Sequence, residues 1–338
     1  MRKVYFRITD SRECEFLSGD DISIPGLIKN DTTIITDENL AKIYEGELKP
    51  YRKIIIPAGE EGKSLNSLEN IFCTLLKFGI EKKSLIAAFG GGSVCDITGL
   101  AASLYKRGCR AVYIPTTLLA QADAALGGKT AINFAGIKNL LGTVRQPEQI
   151  ISCPRYLNSL GYDEFSNGLA EIVKTSLIAD NDLFLYLLEN KEKIKNRSYE
   201  HIEHITYSSA LHKMRLVEAD PFDRNIRQYL NFGHTFANAA EPVLKIAHGK
   251  AVSIGIIKDL EISHKLGILC EQVLRKARLL LAFFNLPVDI ESISSKISAN
   301  MSEDKKNFNK KLKIVLVRAP GDPLIKKITI KEYMDLLK

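Results

Sequence analysis

The first half of the chain alternates short runs of β-branched and apolar residues with amphipathic or turn-rich segments. Four of these runs predict strands, at 33–36, 53–56, 85–89 and 111–114. Such alternation is typical of a parallel β-sheet whose strands are connected by helices. This alternation of strand-like and helical segments ends after about Tyr156, so the rest of the chain must have a different architecture.

The second half predicts long helices rather than strands. They are expected over 161–178, 199–218, 249–266 and 270–284. A chain of 338 residues is long enough for two domains. We place the connection between them near 154–160, where prolines follow the last glycine-rich segment.

Composition narrows the class of protein. Hydrophobic residues make up 45% and charged residues 26%, which is ordinary for a soluble globular protein and excludes disordered, collagen-like and coiled-coil chains. A formal charge of +7 favours an anionic small molecule as ligand and is too modest to indicate nucleic acid. No apolar run approaches the roughly 18 residues that span a bilayer, and the first residues lack the apolar stretch of a signal peptide. The six cysteines form no CxxC pair. We therefore expect a cytoplasmic protein with reduced thiols and no membrane partner.

A glycine-rich turn follows one of the predicted strands. The sequence GGGSVCD at 90–96 comes directly after the strand at 85–89 and begins a helical pattern. Glycines at such a turn let backbone N–H groups approach a pyrophosphate at the positive end of a helix. Small, polar or charged residues also follow two other strands, at 59–63 and 115–117. Because ligands of open α/β sheets bind at the carboxyl ends of the strands, a nucleotide crevice is favoured over three unrelated turns.

Two histidines and a carboxylate in the second half suggest a metal site. His234 and His248 each adjoin a glycine, and Glu171 lies on another predicted helix, three residues before Lys174. Two histidines and one carboxylate leave an open position on the metal, as catalytic zinc requires. Spacing alone leaves open the alternative of ordinary core histidines and a surface Glu–Lys pair.

Seven motifs resemble those of the 3-dehydroquinate synthase family, a branch of the sugar phosphate cyclases, in order and at matching spacings. They are GGGSVCD at 90–96, IPTTLLAQAD at 114–123, LGGKT at 126–130, KNLLG at 138–142, GLAEIVK at 168–174, LNFGHT at 230–235 and HG at 248–249. The resemblance extends from about residue 37 to about residue 317. It implies a Rossmann-like NAD-binding α/β domain over residues 1–157 and a mostly helical metal- and substrate-binding domain over 158–338, with the active site in the cleft between them.

The resemblance also implies a reaction. The family converts 3-deoxy-arabino-heptulosonate 7-phosphate to 3-dehydroquinate and phosphate, as part of the shikimate pathway of aromatic amino-acid biosynthesis. NAD oxidises one secondary alcohol of the substrate, phosphate leaves by β-elimination, the same hydride returns, and the ring opens and closes by aldol addition. The expected protein is therefore an NAD- and metal-dependent lyase, usually a cytoplasmic homodimer, whose partner is a small phosphorylated sugar acid.

The functional residues implied by the resemblance fall into four groups. The metal ligands are Glu171, His234 and His248, for zinc first, although cobalt or manganese would fit the same ligands. The NAD contacts are Asp37, Glu60, Lys63, Gly91, Gly92, Asp96, Thr116, Thr117, Lys138 and Ser159. The catalytic residues are Asp123, Lys129, Lys174, Arg227 and Asn231. The substrate-binding residues are Arg107, Asn139, Lys213, Asp223, Asn238 and one of Lys305 and Lys306.

Four positions depart from the family pattern. Asn238 stands where the family has a second histidine, and an asparagine can hydrogen-bond but cannot titrate. Lys250 replaces a glutamate just after a metal ligand, Asp223 is one methylene shorter than the usual glutamate, and Cys153 replaces an aspartate.

These departures keep other functions open. A divergent cyclase acting on another sugar phosphate is the second candidate, although Lys213 and Arg227 are both retained and favour a substrate that carries a carboxylate. Metal-dependent alcohol dehydrogenases, which share the Gly-Gly-Gly-Ser turn, rank third. A homologue that binds NAD without turnover is the non-enzymatic alternative.

Overall fold

The computed structural model describes residues 1–7, 13–19, 24–290, 297, 300 and 311–337. The chain divides into two compact units, Met1–Gly161 and Tyr162–Lys338. Within the described residues, every helix is too short or too polar to cross a bilayer.

Unit 1 is an α/β unit. Its strands are β1 (Arg2–Arg7), β2 (Glu13–Ser18), β3 (Thr33–Asp37), β4 (Arg52–Ile56), β5 (Leu85–Gly90), β6 (Arg110–Pro115), β7 (Lys129–Phe134), β8 (Ile137–Val144) and β9 (Gln149–Ser152). Its helices are α1 (Ile24–Leu27), α2 (Glu38–Ile43), α3 (Glu45–Leu48), α4 (Leu65–Lys77) and α5 (Gly92–Leu104). Short 3₁₀ segments cover Gly59–Gly62, Tyr105–Arg107 and Pro154–Ser159, and a π-helical turn covers Ala120–Ala124.

Seven strands of unit 1 form one sheet in the order β1-β2-β9-β6-β5-β3-β4. All neighbouring pairs are parallel except β1 with β2. The four strands predicted from the sequence are the adjacent strands β6, β5, β3 and β4, so the predicted parallel sheet is confirmed. Every residue of β3 is buried, and Ile34, Phe89 and Ile114 share one core cluster. Burial on both faces explains why β3, β5 and β6 are runs of β-branched or apolar residues without polar alternation, whereas β4, at the edge of the sheet, leaves Ile55 exposed.

A two-stranded hairpin, β7 with β8, packs beside α5. A Cβ at Gly99 of α5 would lie 2.0 Å from the hydroxyl oxygen of Tyr113 and 2.5 Å from Cγ2 of Thr130, so only glycine allows this approach. No residue of β8 is buried. Because β8 buries neither face, its sequence has no alternating pattern, and sequence analysis did not predict it as a strand.

Unit 2 is mostly helical, as predicted. Its helices are α6 (Tyr162–Ala179), α7 (Asn181–Glu189), α8 (Lys191–Lys195), α9 (Tyr199–Ala219), α10 (His234–Leu244), α11 (His248–Lys265), α12 (Glu271–Phe283) and α13 (Ile330–Leu337). A 3₁₀ segment covers Ile226–Asn231, and β10 (Leu312–Ala319) pairs with β11 (Asp322–Ile328) in an antiparallel hairpin. One face of that hairpin packs against α10, α11 and α13 in a shared apolar cluster.

Two glycines bring three helices of unit 2 into backbone contact. A Cβ at Gly249, on α11, would lie 2.3 Å from the carbonyl oxygen of Asn167 on α6. A Cβ at Gly255, also on α11, would lie 1.9 Å from the carbonyl oxygen of Gly233, which precedes α10. Since no side chain fits at either place, α11 lies against both α6 and the start of α10.

The buried carboxyl of Asp259 predicts a dependence of stability on pH. Its Oδ2 accepts the N–H of Gly233 at 2.7 Å, and its Oδ1 accepts the hydroxyl of Tyr333 at 3.4 Å. Burial raises the pKa of Asp259 to about 7. Because this carboxyl ionises less readily in the folded state, the folded protein loses stability as the pH rises. The loss begins near pH 4, the pKa of the carboxyl in the unfolded chain, and is nearly complete above pH 7, its pKa in the folded state. The loss is expected to reach about 3 to 4 kcal/mol.

Urea denaturation at pH 5 and pH 8 checks this expectation. The side-chain amide of an Asp259→Asn variant could still accept from Gly233 and hydrogen-bond to Tyr333, so the variant should fold. Its free energy of unfolding should fall less between the two pH values than that of the unsubstituted chain. Equal falls in both proteins would contradict the assignment.

Candidate active site

Three donor side chains meet within unit 2. They are Glu171 on α6, His234 at the start of α10 and His248 at the start of α11, and one ligand atom from each lies within 4.8 Å of the other two. Oε1 of Glu171 lies 3.2 Å from Nε2 of His248 and 3.6 Å from Nε2 of His234. These helices are the ones held together by the glycine contacts, so helix packing sets the geometry of the triad.

The second ring nitrogen of each histidine is held by an acceptor. Nδ1 of His248 lies 2.9 Å from Oε2 of Glu241, and Nδ1 of His234 lies 3.0 Å from the carbonyl oxygen of Phe232. Both acceptors require a proton on Nδ1, which directs Nε2 of each ring toward Glu171. Two imidazole nitrogens and a carboxylate oxygen, oriented in this way, fit a zinc-like divalent cation.

Near neutral pH, Glu171 and His234 are in the protonation states that bind a cation, whereas His248 is protonated. Glu171 is fully buried, and Nζ of Lys174 lies 2.5 Å from its Oε2. Burial opposes the charge of Glu171, but Lys174 and the two histidines hold the pKa of its carboxyl well below the ordinary value. Burial lowers the pKa of His234 to about 4. Burial also opposes a charge on His248, but hydrogen bonds to Glu171 and Glu241 raise its pKa to about 10. His248 therefore carries a second ring proton, on the Nε2 atom that faces Glu171, and a metal ion must displace that proton in order to bind.

The glycine turn of unit 1 has the form of a phosphate site. β5 ends at Gly90, Gly91 is the extended N-cap of α5, and the helix begins at Gly92. A Cβ at Gly91 would lie 3.0 Å from Cγ2 of Thr117, and one at Gly92 would lie 3.2 Å from Cβ of Ala124. Glycine at both positions therefore lets the turn pack closely against Thr117 and Ala124, and backbone N–H groups at the start of a 13-residue helix fit a pyrophosphate.

Four predicted contacts gather beside that turn. Nζ of the buried Lys63 lies 2.7 Å from Oδ2 of Asp96 and also donates to Oδ1 of Asn139. The hydroxyl of Ser93 donates to Oε1 of Glu60 at 3.2 Å. The structure thus brings three predicted NAD contacts together with a predicted substrate contact.

Two other predicted NAD contacts already make hydrogen bonds within unit 1. Oδ1 of Asp37 accepts from two backbone N–H groups of α2, at 2.9 and 3.0 Å. The hydroxyl of Ser159 donates to the carbonyl of Tyr156 and accepts from the hydroxyl of Tyr44, each at 3.1 Å. Both residues therefore have a structural role, and their contact with NAD stays a prediction.

The loop before α10 carries two predicted substrate residues. The carboxylate of Asp220 accepts three backbone N–H groups of this loop, at 2.6 to 3.1 Å. Arg227 is buried and donates to the carbonyl of Pro221 at 2.9 Å, and Asp223 has a left-handed backbone with φ 58°. Asp220 therefore shapes the loop that presents Asp223 and Arg227.

A cavity of about 240 Å³ in unit 2 includes two of the predicted residues. It is lined by Asp223, Gln228, Asn231, Lys313, Val315 and Ile325. The side chain of Gln228 links its neighbours, because Nε2 donates to the carbonyl of Asp223 at 2.9 Å and Oε1 accepts from Nζ of Lys313 at 3.0 Å. Sequence analysis singled out neither Gln228 nor Lys313.

Arg107 lies apart from the glycine turn. It follows the C-terminal end of α5, a helix of 13 residues that begins at Gly92, so about 20 Å of helix separates it from the turn. Its backbone is left-handed, with φ 59°. The described contacts of unit 1 do not bring Arg107 to the other predicted residues.

The remaining predicted residues are placed as follows. Asp123 lies in the π-helical turn after β6, a form of backbone that is frequent at functional sites. Lys129 begins β7, and Lys138 is exposed on β8. Lys213 is buried on α9, and Asn238 is exposed on α10, one turn after His234. Lys305 and Lys306 lie outside the described residues.

Glu241, whose carboxylate contacts Nδ1 of His248 in the candidate metal triad, is a residue that sequence analysis missed. It lies seven residues after His234, and two helical turns place both residues on the same face of α10. An acidic residue two turns after a ligating histidine was the available signal. Its contact with His248, on the next helix, required the fold.

One departure from the family pattern has a local explanation. Lys250 lies in the first turn of α11, where a positive charge is unfavourable, and its Nζ lies 3.2 Å from Oδ2 of Asp163. The ion pair compensates the reversed charge at the surface. Nothing in the described contacts explains Asn238.

Two family models match consecutive parts of the chain and meet six residues after the boundary between the two units. The N-terminal domain of 3-dehydroquinate synthase matches residues 53–167, and its C-terminal domain matches residues 168–307. The chain is 36% identical over 332 residues to the 3-dehydroquinate synthase of Dehalococcoides mccartyi, covering 93% of this chain and 92% of that protein.

Two solved structures are similar over nearly their whole length. One is 2-epi-5-epi-valiolone synthase from Streptomyces hygroscopicus with NAD⁺ and Zn²⁺ bound, at a TM-score of 0.86 and 25% identity, covering 97% of this chain and 96% of that one. The other is 2-deoxy-scyllo-inosose synthase with carbaglucose-6-phosphate, NAD⁺ and Co²⁺, at a TM-score of 0.85 and 23% identity, covering 99% of each chain.

The fold is that of the sugar phosphate cyclases. Within that class, the chain belongs to the 3-dehydroquinate synthase family. The predicted fold class and family are confirmed.

Proposed function

We propose that the protein is a 3-dehydroquinate synthase that converts 3-deoxy-arabino-heptulosonate 7-phosphate to 3-dehydroquinate and phosphate. The observation that carries the proposal is the triad of Glu171, His234 and His248, which a chain of this family brings together with both imidazoles oriented. A binding module without turnover would have no use for such a site.

The two cofactors would divide the chemistry. The glycine turn of unit 1 would hold NAD, which would supply reversible hydride exchange with the substrate. Glu171, His234 and His248 would hold a zinc-like ion, which would supply a Lewis acid for the hydroxyl to be oxidised. This makes the enzyme a carbon–oxygen lyase in which NAD is not consumed.

The protein's own residues would bind and orient the substrate. Lys174 is buried at the triad, within reach of a hydroxyl that approaches Glu171. Asp123 would accept a proton from the substrate hydroxyl next to the one that is oxidised. Lys129, Lys213 and Arg227 would meet the anionic oxygens of phosphate and carboxylate by charge-assisted hydrogen bonds.

The proposal also includes the setting of the enzyme. We expect both units to serve one reaction, since the proposed NAD contacts belong to unit 1 and the proposed metal ligands to unit 2. We expect a homodimer that works in the cytoplasm and acts on no nucleic acid.

Phosphate release tests this function. The purified protein, loaded with zinc and NAD, should release phosphate from 3-deoxy-arabino-heptulosonate 7-phosphate and form 3-dehydroquinate. Protein stripped of metal by a chelator should lose at least about a thousandfold in rate, because a Lewis acid contributes several kcal/mol to the transition state. Adding zinc back should restore the rate.

Two outcomes would count against the proposal. No release from protein shown to hold zinc and NAD would favour another sugar phosphate as substrate, and Asn238 is the first position to examine. Equal rates with and without metal would exclude the metal chemistry.

A further inference from the structure

We propose that Asn133 is a positioning residue that holds Glu60 for NAD and Asn139 for the substrate. The inference rests on the proposed function, which assigns those two roles. Asn133 lies on β7, is half-buried, and belongs to none of the motifs that suggested the site.

Both ends of the Asn133 amide and its backbone N–H contact this site. Nδ2 donates to Oε2 of Glu60 at 2.8 Å, and Oδ1 accepts the backbone N–H of Asn139 at 2.9 Å. Its backbone N–H donates to the carbonyl of Lys63 at 2.8 Å. A carboxylate only accepts and a backbone N–H only donates, so the orientation of the amide is unambiguous.

These bonds fix a carboxylate that would otherwise be mobile. Glu60 is exposed, in a short 3₁₀ segment, and its two oxygens are held by Ser93 on one side and Asn133 on the other. Each carboxylate oxygen can still accept a further hydrogen bond from a nucleotide hydroxyl. Holding the side chain in advance removes a conformational cost of binding NAD.

The same amide stabilises an unfavourable backbone at Asn139. That residue has φ 55°, in the left-handed region, on the exposed strand β8. Its N–H is bonded to Asn133, and its Oδ1 accepts from Lys63. Asn133 thus links the proposed NAD contacts to a proposed substrate contact across the β7–β8 hairpin.

Two substitutions separate the two halves of this role. Asn133→Ala removes both bonds and should raise the Kd for NAD and the KM for substrate, each about tenfold. Asn133→Asp keeps an oxygen for the N–H of Asn139 but places a second carboxylate against Glu60. It should raise the Kd for NAD about tenfold or more, while the KM for substrate at saturating NAD stays near that of the unsubstituted chain.

A third variant controls for hairpin stability. Thr143 pairs with the hydroxyls of Thr130 and Ser103, at 2.9 and 3.1 Å, so Thr143→Val loosens the same hairpin without touching Glu60 or Asn139. It should lower Tm as much as Asn133→Ala or more and leave the Kd for NAD unchanged.

The NAD affinity is measured by calorimetric titration of the zinc-loaded protein, which requires no turnover. A Kd of Asn133→Ala for NAD within twofold of that of the unsubstituted chain would overturn the inference. So would a loss of NAD affinity in Thr143→Val equal to the loss in Asn133→Ala. An unsubstituted chain that binds NAD but releases no phosphate would refute the proposed substrate, and the Kd values would still decide on Asn133. A chain that binds no NAD overturns both.

Discussion

Replacing His248 with alanine is expected to abolish zinc binding and lower turnover by at least about a thousandfold. The variant loses one of three ligands and leaves Glu171 with His234 and Lys174 as partners. The buried carboxylate therefore remains compensated, and the fold should persist. Zinc content after dialysis, phosphate release and circular dichroism measure the three properties separately.

Glu171→Ala should behave differently from His248→Ala. It removes the carboxylate that pairs with Lys174, which is 2% exposed, so the buried ammonium loses the negative charge beside it. Such losses cost about 3 to 5 kcal/mol of unfolding free energy.

His264→Ala is the matched control for His248→Ala, since His264 also lies on α11 and its Nδ1 contacts only the carbonyl of Leu269 among the contacts described. Full activity of the His248→Ala variant in chelator would contradict the metal assignment.

Gly255→Ala is expected to lower both stability and zinc affinity. An alanine inside an exposed helix would ordinarily gain about 1 kcal/mol over glycine. Here the new Cβ would lie 1.9 Å from the carbonyl oxygen of Gly233, which is backbone and directly precedes His234. Separating α11 from α10 should cost about 1 to 3 kcal/mol and move His234 away from His248.

Urea denaturation and zinc titration check this expectation. Gly46→Ala on α3 is the control, because nothing lies within 4 Å of a Cβ at that position. It should leave unfolding free energy and zinc affinity unchanged or slightly improved. A Gly255→Ala protein that binds zinc as tightly as the unsubstituted chain would show that helix contact does not set the triad.

Sequence patterns were sufficient where burial is regular. Strands β3 to β6 and helices α6, α9, α11 and α12 were predicted within a few residues, because each buries a continuous face. The hairpins β7–β8 and β10–β11 were missed. β8 has no buried residue, and β10 buries four consecutive residues, Ile314 to Val317, so neither strand shows the two-residue alternation of a half-buried strand.

The sequence predicted the metal ligands of the candidate site but not the residues that hold the site in place through hydrogen bonds. The residues alone suggested a site of two histidines and a carboxylate, and the resemblance to the family motifs supplied the ligand set Glu171, His234 and His248. Glu241, Asp220 and Asn133 were not found, since each acts through a hydrogen bond whose partner is known only after folding. The spacing of apolar residues along the chain does not indicate such contacts.

The triad has a consequence for folding as well as for catalysis. Its ligands are distant in the chain, with roughly 60 residues between Glu171 and His234, yet all three belong to unit 2. A bound ion would therefore act as a reversible cross-link that closes two loops of the unfolded chain. Metal supply would then govern how long unit 2 survives heat or proteolysis, independently of whether any substrate is present.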